Sequence, residues 1–88
     1  MPGYDGSVAP KVTMYSRRSC GLCDEARAAI LAERARGVPF EFEEVLIDGD
    51  EGLERGYGVR VPVVEVDGRE AFELSVDPVR LRGLLGSG

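Results

Sequence analysis

The sequence predicts an α/β domain with the element order β-α-β-α-β-β-α and a four-stranded mixed sheet flanked by helices. Three observations support this prediction. The only two cysteines, Cys20 and Cys23, lie where a strand-like run passes into a helix-like run. A Val-Pro pair at 61–62 opens another strongly β-forming run. An Asp-Gly pair at 67–68 is a two-residue hairpin signal between that run and the next one.

The first half of the chain is predicted to form a strand, a helix and a second strand. Val12–Tyr15 is rich in β-forming residues and is predicted to be a buried, central strand. Asp24–Ala35 is rich in helix formers and stops before Gly37. Phe40–Asp48 starts with alternating apolar and acidic residues and ends in an apolar run. Its glutamates predict an edge strand, because charges there discourage pairing with another chain.

The first helix is predicted to have a weak apolar face and a solvated face. Helical spacing puts on the apolar face Leu22, Ala26, Ala29 and Ile30. The residues predicted to face water are Arg27, Glu33, Arg34 and Arg36.

The second half of the chain is predicted to form a helix, two strands and a final helix. Glu51–Tyr57 is predicted to be a short helix. Because proline is out of place inside a central strand, Pro62 is expected at the first position of its strand. Glu70–Leu74 follows the hairpin signal as the antiparallel partner. A C-terminal helix over 78–86 is predicted, with Asp77 as its N-cap and a proline at its first position.

Length and composition predict one small domain and limit its function. The chain has 88 residues, and we expect a domain over 11–86 after a flexible, Gly- and Pro-punctuated tail over 1–10. The formal net charge of −5 argues against nucleic-acid binding, and no run is apolar enough to span a membrane. No histidine is present, which excludes Ser-His and Cys-His nucleophile systems. A Cys-x-x-Cys pair without a signal-like start predicts a cytoplasmic location. The chain is also expected to be a monomer.

The spacing and position of the two cysteines favour thiol–disulfide exchange. The N-terminus of a helix offers free N–H groups and a partial positive charge, which favour the reactive thiolate of Cys20. Arg17, just before it, adds positive potential. Cys23 follows one helical turn later and can attack a mixed disulfide formed at Cys20, and Gly21 is expected to let the backbone close tightly between them.

Other interpretations of the cysteine pair stay open at this point. A closed zinc site needs four ligands, and within one chain carboxylates would have to supply the rest. Two chains sharing Cys20 and Cys23 could form a Cys₄ metal centre. The cysteines could also be structural, or belong to a binding or regulatory module without catalysis. No metal ion and no bound cofactor are predicted; the redox group is the Cys20–Cys23 disulfide itself.

Two segments of the chain resemble a known group of proteins. They are Cys-Gly-Leu-Cys-Asp-Glu-Ala at 20–26 and Tyr-Gly-Val-Arg-Val-Pro-Val at 57–63. With the order of elements, these segments resemble thioredoxin-fold proteins of glutaredoxin size, and among them the small glutaredoxin-like dithiol proteins. The resemblance covers about Lys11 to Leu85. It implies a thioredoxin fold and an oxidoreductase that reduces protein or small-molecule disulfides.

The resemblance also implies roles for individual residues. Cys20 matches the nucleophilic cysteine of the family and Cys23 its resolving cysteine. Pro62 matches the family's cis-proline, which faces the disulfide, and the backbone before it binds an extended substrate segment. The residues expected to bind substrate are Arg17, Gly21, Leu22, Val61 and Pro62. The expected partners are a disulfide-bearing protein or a small-molecule thiol.

The chain departs from glutaredoxins at three places. Glutaredoxins usually have Pro-Tyr between the cysteines, where this chain has Gly-Leu at 21–22. They usually have threonine before the Val-Pro pair, where this chain has Arg60. They usually have a Gly-Gly pair that leads to an acid and forms part of the glutathione site, where this chain has Leu-Ser-Val-Asp at 74–77. The electron donor therefore stays open between glutathione, another small thiol and a flavoprotein reductase.

Overall fold

The computed structural model describes residues 9–86, so most of the tail predicted over 1–10 lies outside the described residues. The elements follow the predicted order. They are β1 (Lys11–Ser16), α1 (Gly21–Ala35), β2 (Glu41–Leu46), α2 (Glu51–Tyr57), β3 (Val63–Val66), β4 (Arg69–Glu73) and α3 (Pro78–Gly86). Over this described range, no helix has both the length and the apolar character needed to cross a membrane.

The four strands form one mixed sheet in the order β2-β1-β3-β4, which confirms the predicted class of fold. β1 pairs in parallel with β2 and antiparallel with β3, and β3 pairs antiparallel with β4. β1 is therefore central and β2 is an edge strand, as predicted. Between β3 and β4, Asp67 and Gly68 both have positive φ, 52° and 84°, which is the backbone that the Asp-Gly signal predicts for a hairpin turn.

The sheet separates two packed faces. Val12 and Met14 of β1 are fully buried and share one apolar cluster with Ile30 of α1 and Leu81 of α3. Alternate residues of a strand point to opposite faces. Tyr15 accordingly stacks on a ring of α2, that of Tyr57, with the ring centroids 4.3 Å apart and the planes 11° from parallel. Helices therefore cover both faces of β1, the strand that leads into the cysteine pair.

The predicted faces of α1 need two corrections. Glu33 was expected in water, but it is 2 % exposed and accepts hydrogen bonds from the Arg82 guanidinium of α3 at 2.7 and 3.1 Å. These bonds lower the pKa of the Glu33 carboxyl below its usual range. Leu22 was expected on the apolar face, but it is 47 % exposed. It lies in the first turn of α1, where the core residues begin only at Cys23.

The remaining predicted boundaries shift by a residue or more at strand ends. β2 is shorter than the predicted 40–48, and β3 begins one residue after Pro62 instead of at it. The predicted N-cap of α3 is confirmed, because the Asp77 carboxylate accepts a hydrogen bond from the backbone N–H of Val79 at 3.0 Å. Pro62 has no backbone N–H to donate to the sheet, which explains why the regular pairing of β3 starts one residue after it, at Val63.

Candidate active site

Cys20 is the N-cap residue of α1. Its backbone is extended, and its Sγ accepts a hydrogen bond from the backbone N–H of Cys23 at 3.1 Å. Ser19, with φ of 54°, turns the chain sharply between the end of β1 and this helix. The sulfur of Cys20 therefore lies against the free N–H groups of the first helical turn, where a negative charge is stabilised.

The two cysteines form a disulfide and differ in access to solvent. Cys23 is fully buried and belongs to the apolar core, whereas Cys20 is half-buried and packs against that core. Cys20 is therefore the residue of the pair that solvent partly reaches, and Cys23 is closed off from it. This asymmetry is what a nucleophilic and a resolving thiol require.

The Val61–Pro62 peptide bond is cis, in agreement with what the resemblance implies. Both residues are buried, and Val61 belongs to the same apolar cluster as Cys23. The carbonyl of Pro62 accepts a hydrogen bond from the backbone N–H of Leu74 at 2.8 Å. No hydrogen bond between described residues uses the backbone N–H or carbonyl of Val61. Over residues 9–86, its peptide groups are therefore without a hydrogen-bond partner.

The predicted substrate-binding residues do not share one cavity. Leu22 lines a groove of about 170 Å³. The residues that line this groove, here called the leucine groove, are Leu22, Glu25, Ala26, Leu74, Ser75 and Val76. Arg17 lines a separate groove of about 290 Å³. Its lining residues are Arg17, Ile47, Asp48, Glu54, Gly58 and Val59.

Gly21, the first residue of α1, is not required by backbone geometry. A Cβ atom built at this position meets no atom within 4 Å, and its φ is not in the left-handed region. Gly21 was expected to let the backbone close tightly between the cysteines, but an ordinary helical turn makes this connection and would also accept a side chain. The missing side chain instead leaves the surface beside Cys20 open.

The carboxylate of Glu44 in β2 links β1 and α1, the two elements on either side of Cys20, through hydrogen bonds. Glu44 accepts hydrogen bonds from Arg27 of α1 at 2.7 and 2.6 Å and from the hydroxyl of buried Ser16 at the end of β1 at 2.6 Å. The hydrogen bonds from Arg27, reinforced by that from Ser16, lower the pKa of the Glu44 carboxyl. Sequence reasoning had placed Glu44 on a solvated edge and Arg27 in water, so this network was missed.

Arg60, which stands where glutaredoxins usually have threonine, is held by β4 and α2. Its guanidinium donates to Glu70 at 3.1 and 3.2 Å and to Glu73 at 3.1 Å. It also lies over the ring of Tyr57, 5.4 Å from the centroid. These carboxylates raise the pKa of Arg60, so its positive charge is permanent but already paired.

Two exposed apolar residues near the predicted site were not singled out from the sequence. Leu74 lines the leucine groove and is 42 % exposed, and Val59 lines the other groove and is 93 % exposed. Leu74 has φ of 71°, in the left-handed region. The one signal in the sequence was that Leu74 begins the segment where glutaredoxins have glycines.

Comparison with solved structures defines the class of the protein. The chain superposes on mitochondrial thioredoxin 3 of Saccharomyces cerevisiae in its oxidised form, with a TM-score of 0.64 and 14 % identity over 93 % of this chain and 81 % of that chain. At this identity the likeness shows the fold, which is the thioredoxin fold. Together with the Cys20–Cys23 disulfide at the start of α1, it supports a redox role.

The chain belongs to the glutaredoxin-like domain family (DUF836), whose model matches residues 11–86. It is similar to a Xanthomonas campestris protein of known structure, with 41 % identity, a TM-score of 0.71 and coverage of 88 % of this chain and 97 % of that one. Protein Ne2328 of Nitrosomonas europaea shares 30 % identity, with a TM-score of 0.74 over 94 % and 99 % of the two chains. An uncharacterised protein of Mycobacterium tuberculosis is 36 % identical over 83 % of this chain and 79 % of its own length.

Proposed function

We propose that the protein is a thiol–disulfide oxidoreductase that reduces disulfides of proteins or small molecules through the Cys20–Cys23 pair. The observation that carries this proposal is the asymmetric disulfide at the N-terminus of α1, with Cys20 partly exposed and Cys23 fully buried. A binding module would need neither a redox-active pair nor this difference in access.

The reaction proceeds by two exchanges of thiolate on disulfide. The Cys20 thiolate attacks a substrate sulfur, a Cys20–substrate disulfide forms, and the other substrate sulfur leaves as a thiolate that takes up a proton. The Cys23 thiolate then attacks the Cys20 sulfur, which releases the second substrate thiolate and forms the Cys20–Cys23 disulfide. Two electrons pass to the substrate, and the N–H groups at the start of α1 stabilise Cys20 as nucleophile and as leaving group.

Substrate binding uses the backbone next to the cis-proline. The unpaired peptide groups of Val61 can form hydrogen bonds with an extended segment that carries the target disulfide, in the manner of an added strand. Pro62 shapes this edge, and Gly21 leaves the approach to Cys20 free of a side chain. Leu22 and Arg17 contact the substrate from two separate grooves.

The cycle needs a second reductant of the thiol class. Glutathione, another small thiol or a flavoprotein reductase would return the disulfide to the dithiol by the same exchange. No resident metal ion or cofactor takes part in the proposed cycle. A cytoplasmic location and a monomeric state stay predictions, and both agree with a protein that is recycled by soluble thiols.

Serine variants of each cysteine test the proposal. Reduced wild-type protein should reduce a protein disulfide such as that of insulin, with dithiothreitol as the recycling thiol. The Cys20→Ser variant should fall to the uncatalysed background. The Cys23→Ser variant should accumulate a mixed disulfide between Cys20 and substrate, visible by mass spectrometry, because the resolving thiol is missing.

Each outcome of this test is informative. Full reduction activity in Cys20→Ser would refute the assigned nucleophile. A mixed disulfide trapped on Cys23 in the Cys20→Ser variant, with none trapped on Cys20 in the Cys23→Ser variant, would reverse the two roles. Absence of turnover by the reduced wild type, with a partner complex that survives replacement of both cysteines by serine, would favour a non-catalytic binding module.

A further inference from the structure

Leu74 adopts a backbone conformation that a leucine rarely takes. Its φ of 71° lies in the left-handed region, where the Cβ atom crowds the following carbonyl oxygen. Asp67, at a φ of 52°, belongs to a residue type that tolerates this region, and it lies in a hairpin turn. Leucine has no such tolerance. The Leu74 N–H donates to the Pro62 carbonyl at 2.8 Å, so this residue lies directly beside the cis-proline edge.

The side chain of Leu74 contributes little packing to the folded domain. Leu74 is 42 % exposed and is absent from the apolar core and from the hydrophobic residues that pack against it within the described chain. A glycine would relieve the strain, and an asparagine would be tolerated there without an apolar side chain. The leucine therefore serves something other than the stability of the free domain.

The leucine groove explains what the side chain does. Leu74 and Leu22, the latter 47 % exposed, line the same groove, and Leu22 lies between the two cysteines. With about 170 Å³ the groove is smaller than a pocket for a drug-sized ligand, which has about 300 Å³ or more, and suits a single side chain. Among the described residues that line it, Glu25 is the one charged residue, and none is cationic.

We propose that Leu74 is a specificity-determining residue that selects protein disulfides over glutathione disulfide. The leucine groove takes the aliphatic side chain next to the target cysteine of an extended segment, and Glu25 favours a basic residue beside it. Glutathione carries more carboxylates than ammonium groups and no aliphatic side chain of this kind, so the groove offers it repulsion from Glu25 and no apolar contact. This inference rests on the proposed function.

The test compares peptides whose single cysteine is held in a mixed disulfide with thionitrobenzoate, a leaving group that absorbs visible light. The peptides share a length and have the cores Lys-Leu-Cys-Leu-Lys, Lys-Ser-Cys-Ser-Lys and Glu-Leu-Cys-Leu-Glu; glutathione disulfide is measured beside them. The proteins are wild type, Leu74→Asn, Cys20→Ser and Leu84→Gln. Leu84 is a matched control, since it is 43 % exposed but lies in α3 outside the leucine groove.

Wild type should prefer the Leu peptide to the Ser peptide by about tenfold in kcat/KM, the scale of one aliphatic contact. The Glu-flanked peptide and glutathione disulfide should be poorer substrates than the Lys-flanked Leu peptide. Leu74→Asn should reduce the Leu-over-Ser preference to about twofold, chiefly through KM, whereas Leu84→Gln should keep it. The midpoint of thermal unfolding of Leu74→Asn should equal or exceed that of wild type.

Three results would overturn the inference. One is an unchanged Leu-over-Ser preference in Leu74→Asn while wild type is active; the proposed function would then stand and only the role of Leu74 would fall. A second is a clear loss of thermal stability in Leu74→Asn, which would make Leu74 a packing residue. The third is wild-type activity no higher than that of Cys20→Ser on every substrate, which would refute the proposed function and this inference together.

Discussion

Glu44 connects three elements around the candidate site, and the substitution Glu44→Gln tests how much this connection contributes. The carboxylate receives two hydrogen bonds from the Arg27 guanidinium and one from the Ser16 hydroxyl. Glutamine has the same shape, but it is neutral and turns one acceptor oxygen into a donor. In the variant, the amide N–H₂ of glutamine faces one of these donors, so one hydrogen bond is lost. The negative charge that pairs with Arg27 is lost as well.

The expected loss follows from the burial of the pair. Hydrogen bonds to charged groups contribute about 1.5–3 kcal/mol each when measured by substitution. The side chains of Arg27 and Glu44 are 33 % and 23 % exposed, so solvent weakens the interaction and the lower part of that range applies. We expect a loss of about 1.5–2 kcal/mol in the free energy of unfolding. In a domain of this size that corresponds to a fall of about 6–16 °C in the midpoint of thermal unfolding.

Urea and thermal unfolding followed by circular dichroism measure this loss, with both proteins in the oxidised form. Glu43→Gln is the matched control, because Glu43 is the neighbouring residue of β2 and its 52 % exposed side chain pairs, among the described residues, with Lys11 alone. Exposed ion pairs contribute little, so the control should unfold with wild type. An Arg27→Gln, Glu44→Gln double variant should lose less than the sum of the two single losses.

The pH dependence gives an independent test of the same pair. Folding lowers the pKa of Glu44, so its contribution is complete above the unfolded value of about 4.3 and is lost as the pH falls through the folded value. The difference between wild type and Glu44→Gln should therefore be constant from neutral pH to about pH 5 and shrink in stronger acid. Equal losses for the Glu44 and Glu43 variants, or a difference that grows in acid, would refute the reasoning.

Three further substitutions test the packing that supports the site. Leu81→Ala in the core of α3, where Leu81 is fully buried, should cost about 2–5 kcal/mol in urea unfolding, and a loss below 1 kcal/mol would place α3 outside the core. Asp50→Ala should cost about 1 kcal/mol by the same measurement, since the Asp50 carboxylate caps α2 at the N–H of Leu53. A variant as stable as wild type would show that this cap does not stabilise the domain. Gly58→Ala should cost roughly 1–3 kcal/mol in the free energy of unfolding and lower the thermal midpoint accordingly, because the new Cβ would lie 2.5 Å from the backbone oxygen of Glu54. An unchanged midpoint would contradict this close approach.

Features with a local cause could be predicted from the sequence. The Asp-Gly pair at 67–68 predicted a hairpin because these two residues accept positive φ, and the structure has that turn. The extent of α2, Glu51–Tyr57, was predicted to the residue, and the N-cap role of Asp77 follows from its short carboxylate side chain. The central position of β1 followed from its apolar, β-forming composition.

Features that depend on distant partners could not be predicted. Glu33 appeared to face water because the residue that buries it, Arg82, lies 49 positions later on α3. Glu44 and Arg27 are 17 positions apart and meet only once α1 packs on the sheet. Leu74, whose N–H donates to the Pro62 carbonyl, has a left-handed backbone for which leucine itself gives no signal. The error at each of these positions has the same cause, which is that tertiary contacts overrode the local pattern.

The redox equilibrium of the two cysteines is the most direct test of the central claim. The protein is equilibrated across a series of reduced to oxidised dithiothreitol ratios, its thiols are trapped by alkylation, and the products are counted by mass spectrometry. We predict one reversible two-electron transition between the Cys20, Cys23 dithiol and its intramolecular disulfide, at a potential below about −200 mV for a cytoplasmic reductant. If the two thiols never form that disulfide in any ratio, the exchange mechanism proposed for this protein is wrong.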